Sequence, residues 1–171
     1  MGIIAIVGLG PSKHLFKNDL TKFDKTIGVN DIWRFHETDV IVCLDHPTGF
    51  TPDRLKVINN SKPEAFYSQA VIWDTRDDFV QIKIRQGYPE SICILEPYLM
   101  AKSYFSPFVA CQVGFWYYGA TELHLFGIDM TNHPHLNGDL CRKLKGHFRH
   151  LKTALGAKGC QVIVHGNGIL T

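Results

Sequence analysis

Ile3-Ile4-Ala5-Ile6-Val7-Gly8-Leu9-Gly10-Pro11-Ser12 is the stretch whose reading decides the fold. Five apolar residues, mostly β-branched, predict a short buried strand, and a glycine turn follows without a spacer. Pro11 suits the first position of a helix, and Ser12 adds a hydroxyl. A strand that runs through glycines into a helix start exposes backbone N–H groups at the carboxyl edge of a sheet, where open α/β folds bind phosphates. Lys13 stands where the dinucleotide fingerprint needs its third glycine, and no Gly-Lys-Ser/Thr follows, so neither that fingerprint nor a P-loop is present. Gly8, Gly10, Pro11 and Ser12 are candidate nucleotide-binding residues. A bulky residue at Gly10 is expected to abolish nucleotide binding while leaving the fold largely intact.

Further strands are predicted at residues 26–30 and 39–44, ending in Asn30-Asp31 and Asp45-His46-Pro47. In a parallel sheet these polar ends lie along one edge with the glycine turn, which makes Asn30, Asp31, Asp45 and His46 candidates for a ribose, a base or a hydroxyl. Turn chemistry explains the same residues without a ligand. A short first helix is expected over 13–20, a second over 52–60, and weak strands over 64–67 and 91–95. The stretch 73–90 mixes charges, aromatics and a small alternating piece; an edge hairpin or flap fits it best. Residues 102–118 are apolar on nearly every side, as in a helix wedged against a sheet, and Gly119 stops them. A strand at 122–126 ends in Gly127-Ile128-Asp129, a last helix is expected over 139–157, and a last strand over 161–165. The alternation predicts an α/β, Rossmann-like three-layer fold over 1–171, with a mostly parallel sheet and helices on both faces.

Composition excludes several classes. The 171 residues fit one domain, 45% hydrophobic and 20% charged, with 18 Lys and Arg against 16 Asp and Glu for a net +2. No nucleic-acid footprint follows, and the basic cluster Arg142, Lys143, Lys145, His147, Arg149, His150 and Lys152 reads as a solvated helix face. Five scattered cysteines without a Cys-x-x-Cys pair read as buried free thiols in a reducing compartment. No apolar run reaches membrane-spanning length and no leader precedes the first strand, so a cytoplasmic protein is expected. Association into a homo-oligomer stays open.

Asp129 closes its strand where an acid could orient a substrate, hold Mg²⁺ or act as a base. His133 and His135 follow in a Pro-containing loop without a third metal ligand, so no metal site is assigned. An acid/base role fits a histidine near neutrality, with His135 and then His147 as the candidates. His147 and His150 are three apart on the last helix and are expected to share a face. His165-Gly166-Asn167-Gly168 either returns the chain to the ligand edge or frays.

With these residues in view, the chain resembles the Campylobacter-type bacterial sialyltransferases (glycosyltransferase family 42). It also resembles the related Rossmann-like proteins that include archaeal 6-hydroxymethyl-dihydropterin pyrophosphokinases. The likeness is carried by Gly8 to Ser12, Asn30, Asp45-His46-Pro47, and the run from Ser106 through the apolar helix to Tyr118-Gly119-Ala120-Thr121-Glu122-Leu123-His124-Leu125-Phe126-Gly127-Ile128-Asp129. Val164 to Leu170, with Asn167, resembles the family's final strand and turn. The resemblance implies a Rossmann-like fold, no obligatory metal, and a CMP-linked sugar over Gly8 to Ser12, Asn30 and Asp45. It places Ser106 toward the donor sugar, Asp129 beside it, and a histidine base on a lid segment, here the short stretch 130–140. Thr131 and the His133/His135 loop occupy the region where those enzymes place a tyrosine on the departing phosphate. Their catalytic histidine falls near Arg142 here.

Three functions follow as expectations. The first is a sialyltransferase-like glycosyltransferase. The second is a pyrophosphokinase-like enzyme using ATP and Mg²⁺ held by Asp45 and Asp129. The third is a binding protein that keeps the nucleotide cleft without turnover.

Overall fold

The computed structural model describes residues 2–17, 22–85, 96–100, 105–129, 138–168 and 170–171. Strands β1 (Gly2–Val7), β2 (Lys25–Val29), β3 (Val40–Val42), β4 (Ala65–Ser68), β5 (Phe79–Gln81), β8 (Ala120–Phe126) and β9 (Gln161–Val164) form one sheet in the order β5-β4-β3-β2-β1-β8-β9. Every pairing in it is parallel. Ile4, Ala5, Ile6 and Val7 of β1 are almost wholly buried, as a central strand covered on both faces requires. The fold is α/β and Rossmann-like.

Two helices cover one face. Helix α2 (Ser106–Tyr118) packs on β1, β2, β3 and β8, and α3 (Gly138–Ala157) packs on β9 and on α2. Being enclosed by sheet and by α3, α2 buries Phe108 through Gly114 without a break, which explains its all-round apolar sequence. Helix α3 has an outside, and its buried residues Leu144, His147, Phe148, Leu151 and Leu155 recur at helical spacing. On the opposite face α1 (Pro52–Asn60) buries Ile58 in a cluster with Ile41, Phe66 and Trp73. Beside it, Phe16 joins Ala5, Val7, Ile32 and Phe126.

Several expectations change. The first helix is a 3-10 turn, Pro11–Leu15, after which Phe16 turns inward to lie 5.5 Å from the ring of Phe126; residues 18–21 of the expected helix lie outside the described residues. The described part of 73–90 is no hairpin. Strand β5 adds parallel to β4 as the sheet's edge, and β6 (Lys83–Ile84) pairs parallel with β7 (Leu99–Met100) as a separate two-stranded piece. The strand expected at 91–95 lies outside the described residues. His147 and His150 do not share a face: the margin of the core runs between them, with His147 4% exposed and His150 in solvent. Arg142, Lys143, Lys145, Arg149 and Lys152 are exposed, a solvated face.

Cys43, Cys111 and Cys160 are buried free thiols, and burial pushes Cys43 up to about 12 and Cys160 to about 11. They are inert packing groups at neutral pH. Cys93 lies outside the described residues. No helix among the described residues is long and apolar enough to cross a membrane.

The α2–α3 contact depends on Phe108, fully buried and stacked 5.8 Å from Phe148. Phe108→Ala is expected to cost about 3–5 kcal/mol. A urea denaturation midpoint within error of the unmodified protein's would show that this contact does not carry the helix pair.

Candidate functional site

The strand order places a topological switch point between β1 and β8. From β1 the chain leaves toward the face of Phe16, and after β8 it reaches α3 on the opposite face. In open α/β sheets ligands bind in the crevice outside the carboxyl ends of such strands.

Here the two strand ends are tied together. The N–H groups of Gly8 and Gly10 donate to the carbonyls of Phe126 and Gly127, at 2.8 and 2.7 Å. The N–H of Ser12 donates to Asp129 Oδ2 at 2.8 Å. Ser12 Oγ accepts from the N–H of Gly127 at 3.0 Å and donates to the carbonyl of His165 at 3.1 Å. One serine thus joins the ends of β1, β8 and β9. Three turn N–H groups expected to face a phosphate are therefore spent within the protein.

The glycines serve this closure. A Cβ on Gly10 would stand 2.5 Å from Asp129 Oδ2 and 2.7 Å from the Gly127 carbonyl oxygen. Cβ atoms on Gly166 and Gly168 would meet Asp129 at 2.8 Å and 2.3 Å. The tail therefore returns to the edge, as one of the two expectations held, and wraps Asp129, while Leu170 is buried against the main core. Asn167 stands exposed at the tip of this turn.

The other candidates divide. Asp31 is buried, and its Oδ1 accepts from Arg54 Nε and Nη2 at 3.0 and 2.6 Å. That hydrogen bond raises the Arg54 guanidinium above its ordinary value, and Arg54 also lies over the Phe50 ring. His46 is exposed and caps the Pro47–Gly49 turn, its Nδ1 accepting from the N–H of Thr48. Asn30 is the polar group left open. Its backbone is left-handed, with φ 55°, and Oδ1 is buried with no hydrogen-bond partner among the described residues. Its Nδ2 donates to Oδ2 of the exposed Asp45 at 3.4 Å. An orphaned buried oxygen costs about 1–3 kcal/mol.

Ser106 opens α2, whose N-terminal end lies at this edge because the helix runs antiparallel to the strands. His147 is not brought here: it lies nine residues, about 14 Å, along α3 from the helix start and faces the core. Thr131, His135 and most of the expected lid, 130–137, lie outside the described residues. Asp45 and Asp129 follow β3 and β8, with β2 and β1 between them. That is three strand spacings, roughly 14 Å, too far for one shared Mg²⁺. Among the described residues no group of three or more His, Cys, Asp and Glu side chains is placed to hold a metal ion.

One constellation went unread in the sequence. His124 Nε2 hydrogen-bonds Glu122 Oε1, and His124 Nδ1 lies 2.8 Å from His165 Nε2. The His165 ring stacks on Phe126 at 4.2 Å and 5°. Burial, and then the neighbouring His124, lower the His165 imidazole from its ordinary value. Glu122 and His124 alternate on one strand face, a signal legible at period two; the third member, His165, directly follows β9.

Gly10→Val is accordingly expected to destabilise the fold itself by about 2 kcal/mol or more, lowering the melting temperature by roughly 4–8 °C. This corrects the expectation that a bulky residue there spares the fold. An unchanged melting temperature would mean that the close approach of Gly127 and Asp129 is not a constraint.

No protein-family model matches the chain, and no curated protein matches it in sequence. Solved structures do match in fold. One is the sialyltransferase CstII from Campylobacter jejuni in complex with the substrate analogue CMP-3FNeuAc, at 12% identity and a TM-score of 0.53 over 96% of this chain and 80% of that one. Another is a single-residue variant of the α-2,3/8-sialyltransferase CstII, at 13% identity and a TM-score of 0.53 over 94% of this chain and 80% of that one. The chain shares the Rossmann-like fold of these sialyltransferases.

Proposed function

We propose that the chain binds a nucleotide sugar, a CMP-linked one foremost, at the carboxyl edge of the sheet and transfers the sugar as a glycosyltransferase-like enzyme. One observation carries the reading: the fold spanning 96% of this chain is the one seen around CMP-3FNeuAc in the Campylobacter jejuni enzyme. The open polar groups support it. Asn30 Oδ1, buried without a partner among the described residues, gains one if a ligand donor displaces its cover, and the exposed Asp45 offers a carboxylate for a hydroxyl. The N-terminal end of α2, where Ser106 stands, favours an anionic group by its dipole.

The closed knot at Ser12 and Asp129 changes the roles within that reading. Asp129 holds the turn in shape, and the nucleotide lies over the turn on the side of β2 and β3. Asn30 then contacts base or ribose, and its left-handed backbone presents the amide there.

A thermal-shift series with CMP, CMP-sialic acid, UDP-sugars and ATP, each with and without Mg²⁺, tests this. At a hundredfold excess over Kd a bound ligand stabilises by about 2.7 kcal/mol, a rise of roughly 5–10 °C for a chain of this size. Cytidine nucleotides are expected to give it in EDTA as well. Asn30→Gly, which suits the left-handed backbone, is expected to keep the melting temperature and lose the shift. No response to any cytidine nucleotide would sink the reading; binding without transfer to any acceptor would leave a nucleotide-binding protein.

A further inference from the structure

Glu122, His124 and His165 form a hydrogen-bonded chain on the sheet face of Phe23 and Phe126, apart from the main core cluster. Its protonation follows from donor and acceptor arithmetic. A carboxylate only accepts, so His124 Nε2 carries a proton toward Glu122. In the neutral imidazole His124 Nδ1 is then bare and can only accept. His165 Nε2 must therefore be the donor across the 2.8 Å contact, and His165 Nδ1 is left bare, a lone pair at the outer end.

Beside Glu122 lies the buried Cys160 thiol, which burial keeps protonated at neutral pH. On β8 the pair faces Glu122, and Phe126 stacks beneath His165. From the 22–24 segment the Phe23 ring packs on His124; of its neighbours Lys22 and Asp24, the Asp24 carboxylate accepts from the Ile3 N–H. From the Pro11–Leu15 turn comes the uncharged Ser12, whose hydroxyl holds the His165 carbonyl. His165 is thus fixed by backbone pairing, stacking and Ser12, one residue from the Gly166 that packs on Asp129.

We propose that Glu122, His124 and His165 form a proton relay whose outer nitrogen, Nδ1 of His165, takes the proton of an acceptor hydroxyl in the sugar transfer proposed above; the assignment of that role rests on that reading. The acceptor O–H proton passes to His165 Nδ1 as the new oxygen–carbon bond forms at the sugar. The bond from sugar to phosphate breaks, and its electron pair leaves on the nucleotide. The proton on His165 Nε2 moves to His124 Nδ1, so the positive charge ends beside the Glu122 carboxylate. From Asn30 at the end of β2 to His165 after β9 is three strand spacings, about 14 Å. A nucleotide seated at Asn30 therefore extends its sugar, and not its base, toward His165. Glu122 and His124 are positioning residues, and His165 is the catalytic one.

Imidazole ¹⁵N–¹H spectra over a pH series, on the unmodified protein and Glu122→Gln, test the relay without turnover. His165 is expected as the Nε2–H tautomer with bare Nδ1, and Glu122→Gln, which removes the carboxylate behind the imidazoles, is expected to move the His165 titration to lower pH. A His165 proton on Nδ1, or a titration unmoved in Glu122→Gln, overturns it. In transfer assays His165→Gln is expected to lose about 100-fold or more in kcat, with donor KM unchanged. Glu122→Gln is expected to shift the acid limb of the rate profile to lower pH, which a merely structural role would not do. Full transfer by a folded His165→Gln overturns the role. Absence of transfer by the unmodified protein overturns the transferase reading and the hydroxyl role with it, while the spectra still decide the relay.

Discussion

The carboxylate of Asp129 on the N–H of Ser12 is the interaction on which the site depends. A hydrogen bond to a charged group is worth about 1.5–3 kcal/mol, but its topology matters more than its size. Ser12 follows β1, Asp129 follows β8, and the same serine's hydroxyl bridges the Gly127 N–H to the carbonyl of His165 after β9. Parallel strands have no hairpins to fix their ends relative to one another. The knot supplies that restraint at the point where the connections diverge to opposite faces. It also dictates small residues around it, because Gly10, Gly166 and Gly168 would each drive a Cβ into Asp129.

Closure at the centre divides the edge. At β1 and β8 the polar groups are consumed: turn N–H groups by carbonyls, Ser12 and Asp129 by one another. Asp31 is likewise consumed by Arg54 beneath the edge. On the β2–β3 side Asn30 and Asp45 remain open, and on the β8–β9 side stands the imidazole chain. A buried amide oxygen without a partner among the described residues and a pair of hydrogen-bonded imidazoles thus flank the tied middle.

Much of the fold was legible because it is written in local patterns. The β-branched run at Ile3 to Val7 reads as a buried strand, Pro52 starts α1 within the expected bounds, and α2 announces its enclosure by lacking a polar face. Pairing partners are not local. Residues 79–81 alternate like an edge piece in either direction, and only the chain's return beside β4 makes them parallel. The site was legible as a set of strand ends but not as chemistry. Asp31 and Asp129 look alike in sequence to Asp45, yet the first two are tied up by Arg54, 23 positions away, and by Ser12, 117 positions away. His147 fits the α3 core stripe as well as it fits a surface base, and the neighbours Leu144, Phe148 and Leu151 decide for the core.

A likeness in fold at 12% identity transmits position more faithfully than chemistry. The crevice is located by strand order alone, since the connections that follow β1 and β8 diverge to opposite faces whatever side chains fill the core. Which groups face that crevice is set one residue at a time. Here the strand that leads to Asp129 also carries Glu122 and His124 on alternate positions, and β9 brings His165 to their line. A carboxylate behind two imidazoles is a poor way to fill a sheet surface, because three polar groups give up water where three apolar ones would pack freely. Their hydrogen bonds offset that loss only while the chain stays intact from Glu122 to His165. With both rings neutral, the Glu122 carboxylate keeps a proton on His124 Nε2, which leaves His165 Nε2 as the donor between the rings and so fixes both tautomers.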